Sequence, residues 1–253
     1  MNIGIVGLGV VGTAIAKGFE DLGHDVFGYD IKYKDTELLD VLDTDIIYLC
    51  LPTNSKEDGS CNTDSIKETL KELTRLNYEG IVAVKSTIIP GTYEELRKLF
   101  SRERLCLVPE FLREKYAYED FTNRHNVLVI GSENVTTYKT VIQSHGHYPK
   151  AIQILTPYEC EFVKYFSNVY KAYKTVFANS FGKLCKMHNV NYDNVLNTFL
   201  LEGVEQSAYL EYFDGQGFGG MCLPKDTKAL VKLAENTNID TFKFILSEND
   251  KFN

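Results

Sequence analysis

The sequence predicts an α/β chain, a doubly wound parallel sheet followed by a smaller, all-helical domain built on one long helix. Three observations carry this. A glycine-rich turn, Gly7-Leu8-Gly9-Val10-Val11-Gly12, sits between an apolar strand and a helical pattern. Strand-like apolar runs then alternate with helical patterns as far as about residue 130. From residue 157 onward apolar residues recur at helical spacing instead. The 253 residues suit one large and one smaller domain, expected at 1–150 and 151–253.

The first segment reads as a strand over 2–6, the glycine turn, a helix over 13–22 and a strand over 25–29 that ends at Asp30. This is the dinucleotide fingerprint of a Rossmann-type unit in its required setting, with an acidic residue 18 positions after the last glycine. Gly7 permits the tight turn, Gly9 lets a pyrophosphate approach the backbone, and Gly12 permits close packing of helix on strand. The N-terminus of that helix, with Val10 and Val11, then faces the phosphates. Asp30 can accept hydrogen bonds from both ribose hydroxyls and repels a 2′-phosphate, so NAD is expected rather than NADP, with Lys32 and Lys34 as the contrary signal.

Further strands are expected over 46–51, 81–85, 105–108 and 127–130, with helices over 65–76 and 92–101. Ligands of such sheets sit at the carboxyl ends of the strands, which places Pro52-Thr53, Ser86-Thr87 and Pro109-Glu110 along one crevice. The long helix is expected over 157–188. Phe162, Phe166, Val169, Tyr173, Val176, Phe181 and Leu184 form its apolar stripe. At 1.5 Å per residue it runs roughly 45 Å, more than a small domain needs for its own core, which suits a connector or a dimer core. Lys164 and Asn168 are four apart on another face and can point at one target, although a solvated face holds such a pair as readily.

Composition narrows the function classes. With 44% hydrophobic and 25% charged residues the chain has the make-up of a soluble globule, and its net charge of −8 argues against a nucleic-acid partner. The opening residues run straight into a strand, without signal-peptide features or a run long enough to span a membrane, so a cytoplasmic protein is expected. Cys50, Cys61, Cys106, Cys160, Cys185 and Cys222 include no Cys-x-x-Cys pair, which indicates reduced thiols rather than a disulfide framework or zinc ribbon. His145-Gly146-His147 lacks ligating neighbours and reads as a polar turn, so no metal is expected.

The segment Gly217-Phe218-Gly219-Gly220-Met221-Cys222-Leu223-Pro224-Lys225-Asp226 carries the chemistry. Pro224 suits the first helical position and Asp226 the first turn, with Leu230, Leu233 and Ala234 continuing at helical spacing. Cys222 therefore lies near free backbone N–H groups and the Lys225 ammonium, both of which favour thiolate. Glycines such as Gly219 leave room for a substrate to reach the sulfur.

Taken together these segments resemble the UDP-glucose/GDP-mannose dehydrogenase family, NAD-dependent nucleotide-sugar 6-dehydrogenases. The matching pieces run in family order: the glycine fingerprint, Leu51-Pro52-Thr53, Lys85-Ser86-Thr87 with Pro90-Gly91-Thr92, Pro109-Glu110-Phe111-Leu112-Arg113-Glu114, Glu161-Phe162-Val163-Lys164 with Asn168, and 217–230. Leu223-Pro224-Lys225-Asp226-Thr227-Lys228 is most similar to the bacterial UDP-glucose 6-dehydrogenase branch. The resemblance implies oxidation of a sugar C6 alcohol to the acid, UDP-glucose to UDP-glucuronate, by two hydride transfers with a covalent stage on Cys222. It also implies that Lys164 and Asn168 stabilise the C6 oxyanion, that Asp226 assists proton movement, and that Thr87 with Glu114 positions a water or base. Glu110, Phe111, Leu112 and Arg113 would lie along the substrate with Gly219, while Thr53, Thr87, Glu114 and Lys225 would reach the cofactor. A homodimer through helix 157–188 is implied as well.

Departures stand beside these matches. The family's C-terminal nucleotide-binding domain has no room after residue 253, so a separate chain is expected to supply it or the substrate site is open. Gln206 stands where the family has an arginine, 211–215 does not match its substrate loop, and the linker over 30–46 is short. Two other readings therefore stay open: a catalytically weak NAD-binding protein or subunit, and a hydroxyacid dehydrogenase of similar shape, which needs a helix-borne lysine but no cysteine.

Overall fold

The computed structural model describes residues 1–203, 208–213 and 216–252. In chain order the elements are β1 (Asn2–Val6), α1 (Val10–Asp21), β2 (Asp25–Tyr29), β3 (Ile46–Leu49), α2 (Asp64–Arg75), β4 (Ile81–Val84) and α3 (Tyr93–Leu96). There follow β5 (Leu105–Leu107), α4 (Ala117–Thr122), β6 (Leu128–Gly131), α5 (Val135–His145) and β7 (Ile152–Leu155). Four helices complete the described chain: α6 (Pro157–Met187), α7 (Tyr192–Leu200), α8 (Leu223–Leu233) and α9 (Thr241–Asn249).

The chain divides into two compact units, one of Met1–Thr53 with Asn62–Lys164, the other of Asn54–Cys61 with Tyr165–Asn253. The first holds a seven-stranded sheet in the order β2-β1-β3-β4-β5-β6-β7. Successive strand residues feed opposite faces, so Ile46 and Tyr48 join one core with Ile3, Ile5, Ile15, Phe19 and Phe121, while Ile47 and Leu49 join the other with Ile66, Leu70 and Val84. A sheet covered on both faces needs apolar residues at every position, which β3 supplies with four buried residues in a row. The alternation predicts a parallel sheet, and the structure departs from it at one place: β5 and β6 pair antiparallel through Leu107 and Gly131. Their link is antiparallel because the chain between them, with α4, returns β6 in the opposite sense. β7 pairs with β6 beyond residue 150, so the sheet extends past that position.

The expected helix over 92–101 is regular only in α3, with single turns after it. α2 shows why its sequence folds as it does: Ile66, Leu70 and Leu73 share the buried face, Asp64 stands in the first turn and Arg75 in the last, and Asn77 stops the helix at φ 55°.

In the second unit Val169, Ala172, Val176 and Ala178 of α6 are buried, as are Ala229 and Leu230 of α8 and Ile245 of α9. The stripe expected on α6 is therefore split. Val169 and Val176 face the unit's core, whereas Tyr173, Phe177, Phe181 and Leu184 are 40–49% exposed. Gly182 is a close approach, since a Cβ there would lie 2.2 Å from the Tyr212 ring. Ser55 and Cys61 bridge the short 54–61 loop, and its Gly59 faces the α8 backbone at Lys228.

Candidate active site

The first unit carries the cofactor side. Gly7 has φ +95°, a conformation that excludes an ordinary side chain, and its N–H donates to Tyr29 O at 2.8 Å. A Cβ on Gly12 would stand 1.9 Å from Gly7 O, so only glycine lets α1 begin where it does. A Cβ on Gly9, the N-cap of α1, would meet nothing within 4 Å, which leaves open space at a helix N-terminus where a pyrophosphate fits. Val10 beside it is exposed and Val11 half-buried. Asp30 is tied back to this turn, its carboxylate accepting from Leu8 N at 2.8 Å and Lys32 N at 2.9 Å. A phosphate-cradling turn and a fixed carboxylate at the end of β2 fit NAD.

The ends of β3 and β4 are laced together. Thr53 Oγ1 donates to Thr87 O at 2.8 Å and Ser86 Oγ to Leu51 O at 2.7 Å. After β5, Glu110 is held from two directions: Lys164 Nζ donates to its backbone O at 2.5 Å and to Oε1 at 3.1 Å, and Leu112 N donates to Oε2 at 2.5 Å. Lys164 also lies over the Phe111 ring. Arg113 is clamped by Asp120, which accepts from its Nε at 2.9 Å, its guanidinium terminus at 2.6 Å and its backbone N at 2.9 Å. That guanidinium holds the Asp120 carboxyl below the usual range. Glu114 begins the turn Glu114–Tyr116 and is exposed. Lys164 therefore takes Glu110 as its carboxylate.

Lys85, only 3% exposed, has no ion pair among the described residues and faces the rings of Tyr48 and Phe121 at 5.9 Å. Burial pushes its pKa down to about 8. Glu161, equally buried, accepts from Gly91 N and Tyr93 N at 2.7 Å each and so caps α3 from a distance; burial raises its pKa. His145 is not part of a polar turn as the sequence suggests. Its ring is fully buried among Phe19, Tyr48 and Phe121, because α5 runs on through it to Gly146.

The second unit carries the thiol. Cys222 is exposed at the N-cap of α8, with Leu223 rather than Pro224 at the first helical position. A Cβ on Gly219 or Gly220, in the loop before Cys222, would meet nothing within 4 Å. Four residues on, Asp226 is fully buried: Asn168 Nδ2 donates to Oδ2 at 2.6 Å, and Lys225 Nζ lies 2.6 Å from Oδ1. The ammonium expected beside the thiol is thus engaged by the neighbouring carboxylate. Among the candidate residues the structure brings together Lys164 with Glu110, Thr53 with Thr87, Asp30 with the glycine turn, and Asn168 with Asp226 and Lys225. Sequence reasoning assigns nothing to Asp120, although an acidic residue seven positions after an arginine in a loop is a visible signal. Gln206 and Asp214-Gly215 lie outside the described residues.

Residues 32–147 match the UDP-glucose/GDP-mannose dehydrogenase family, NAD binding domain, and residues 158–253 match the central domain of the same family. The UDP-glucose 6-dehydrogenase AglM of Haloferax volcanii is 29% identical over 92% of this chain and 65% of its own length. A UDP-glucose dehydrogenase structure from Pyrobaculum islandicum superposes with a TM-score of 0.89 at 28% identity, over 99% of this chain and 68% of that one. A GDP-mannose dehydrogenase ternary complex from Pseudomonas aeruginosa gives a TM-score of 0.72 at 26% identity, over 99% and 69%. The chain thus spans about two-thirds of the length of these relatives. With a phosphate-cradling glycine turn, a β2 carboxylate and both domain matches in place, the chain belongs to the UDP-glucose/GDP-mannose dehydrogenase family, and the cofactor of its first domain is NAD.

Proposed function

We propose that the protein oxidises the C6 alcohol of a nucleotide sugar, UDP-glucose in the first place, to the uronic acid through a thioester on Cys222. The observation that carries this reading is the exposed thiol at the start of α8, one turn before a fully buried carboxylate held by Asn168 and Lys225. A hydroxyacid dehydrogenase has no use for such a thiol. The 29% identity to the UDP-glucose 6-dehydrogenase AglM of Haloferax volcanii, against 26–27% to the GDP-mannose 6-dehydrogenases, supports naming the uridine sugar first.

NAD, when bound, supplies the acceptor for each hydride. Gly7, Gly9, Gly12 and Asp30 would hold it, with Thr53 and Thr87 at the neighbouring strand ends. In the first oxidation the C6 hydroxyl gives its proton to a base or water positioned by Thr87 and Glu114. The Cys222 thiolate then adds to the aldehyde carbon, forming the C–S bond, and the resulting oxyanion takes hydrogen bonds from Lys164 and Asn168. Loss of the second hydride leaves a thioester. Water attacks it, the C–S bond breaks, and the sulfur leaves as thiolate while Asp226 assists the proton transfers. Glu110, Phe111, Leu112, Arg113 and Gly219 line the substrate.

The reading includes a homodimer. Tyr173, Phe177, Phe181, Tyr192 and Phe199 line an apolar groove of about 380 Å³ along α6 and α7, and exposed apolar surface of this kind marks an interface.

A screen of NADH formation against UDP-glucose, UDP-N-acetylmannosamine, GDP-mannose and simple hydroxyacids tests the function. Two NADH per nucleotide sugar, abolished by Cys222→Ser, is the expected result. One NADH per hydroxyacid with the serine variant fully active overturns the thioester route, and NAD binding without turnover on any substrate overturns the enzyme.

A further inference from the structure

Four residues before Cys222 the glycine loop is pinned by a single carboxamide. Phe218 N donates to Asn249 Oδ1 at 2.6 Å, and Asn249 Nδ2 donates back to Phe218 O at 3.1 Å. The pair is sealed from water, with Phe218 and Asn249 each 5% exposed. Its neighbours are tied as well: Gly217 N donates to Phe252 O at 3.0 Å, and Asn179 Nδ2 to Gln216 O at 2.7 Å. Beyond Phe218, a Cβ on Gly219 or Gly220 would meet nothing within 4 Å and Met221 is 69% exposed. Among the described residues the Phe218 peptide is therefore the nearest point before the thiol that is held by a two-way hydrogen-bonded pair. An asparagine suits it because one carboxamide offers a donor and an acceptor side by side, as a neighbouring strand would.

We propose that Asn249 is a positioning residue for the nucleophile: by pairing both ways with the Phe218 backbone, it fixes the glycine loop and hence where the Cys222 sulfur stands against its substrate. The proposal rests on the reading of Cys222 as the nucleophile. Misplacing a reacting group by about 1 Å costs on the order of 100-fold in rate, whereas the glycine turn and Asp30 that would hold the cofactor belong to the other unit and, among the described residues, make no hydrogen bond with Asn249 or Phe218.

The test uses the full chain with NAD and whichever nucleotide sugar turns over. Asn249→Ala should lower kcat by about 10- to 100-fold with KM for NAD unchanged, and should speed hydrogen exchange at the Phe218 amide. Asn249→Asp adds a readout that a packing role does not move. A protonated acid reproduces the donor–acceptor pair, but a carboxylate only accepts and sets its second oxygen against Phe218 O. The ratio of variant to wild-type kcat should therefore climb as pH falls from about 8 to about 5. Ile245→Ala, on the same helix but outside the clamp, controls for lost packing. Equal losses in Ile245→Ala and Asn249→Ala, a flat ratio for Asn249→Asp, or an unprotected Phe218 amide in the wild type each overturns the proposal. Should Asn249→Ala not fold, the exchange measurement and the Asp ratio decide. If Cys222→Ser proves fully active while the exchange results stand, the nucleophile reading has failed and the clamp has not.

Discussion

Asn168 and Asp226 fix one another: the amide on α6 donates to the carboxylate on α8 at 2.6 Å, with the carboxylate fully buried. Lys225 Nζ lies 2.6 Å from the other oxygen as an ion pair without hydrogen-bond geometry, and the Asn168 bond ties the first turn of α8 to the long helix. A buried carboxylate is tolerated only with such partners, and removing it leaves an ammonium and an amide stranded.

Asp226→Ala is accordingly expected to lower unfolding stability by about 3–5 kcal/mol, and Asp226→Asn by less, because a carboxamide still faces Asn168. Urea midpoints at neutral pH give the order. Equal losses would mean that the contact with Asn168 contributes nothing and that the whole loss comes from the charge facing Lys225.

Lys85 is predicted to be held at a cost. Its folded pKa of about 8 lies below the ordinary 10.5, so between those values the unfolded chain binds the extra proton and stability rises with pH. Below pH 8 that stability is missing. Lys85→Met should therefore stabilise the protein at pH 7 by on the order of 3 kcal/mol and erase the rise toward pH 10. Unfolding at the two pH values checks both parts, and a destabilised variant at pH 7 contradicts it.

Acid sensitivity is expected from the buried imidazoles. Burial lowers His125 from 6.5 to about 4 and holds His145 well below 6.5, with the Lys85 cation adding to both. The unfolded chain takes up their protons first, so the stability is present above pH 6.5 and is lost as pH falls toward 4. His125 accounts for about 3 kcal/mol of that loss. His125→Phe should flatten the slope of unfolding free energy against pH across this window; an unchanged slope assigns the acid loss to other groups.

The proposed dimer separates two neighbours on α6. Phe177 is 49% exposed and Val176 only 4%. Phe177→Glu should give a folded monomer in light scattering, whereas Val176→Glu should unfold the second unit by burying an unpaired charge. A monomeric wild type at micromolar concentration rejects the interface.

What could be read from the sequence is what the backbone demands locally. The glycine turn with Asp30, the buried strands and the start of α8 each need particular residue types at fixed spacing, and each stands within a residue or two of where the spacing predicts, α8 beginning at Leu223 rather than Pro224. Partners far apart in sequence could not be read: nothing local says that Lys164 takes Glu110, 54 positions away, or that Asn249 reaches Phe218. β7 escaped because it is a mostly exposed edge strand containing Gln153, without buried alternation. α5 escaped because its Val, Thr and Ile are β-branched, and its Asn134 cap and packing outweigh their weak helix preference. His145 looked polar by composition and is buried by the register of that helix.

The assignment of residues 54–61 to the second unit makes the two units non-contiguous in the chain. No single cut yields both as intact fragments: ending the polypeptide at Lys164 would strand this loop, whose Gly59 faces Lys228, and starting at Tyr165 would leave α8 without it. During synthesis the loop leaves the ribosome more than a hundred residues before α8, so the helical unit cannot reach its final contacts until nearly the whole of this sequence has been made.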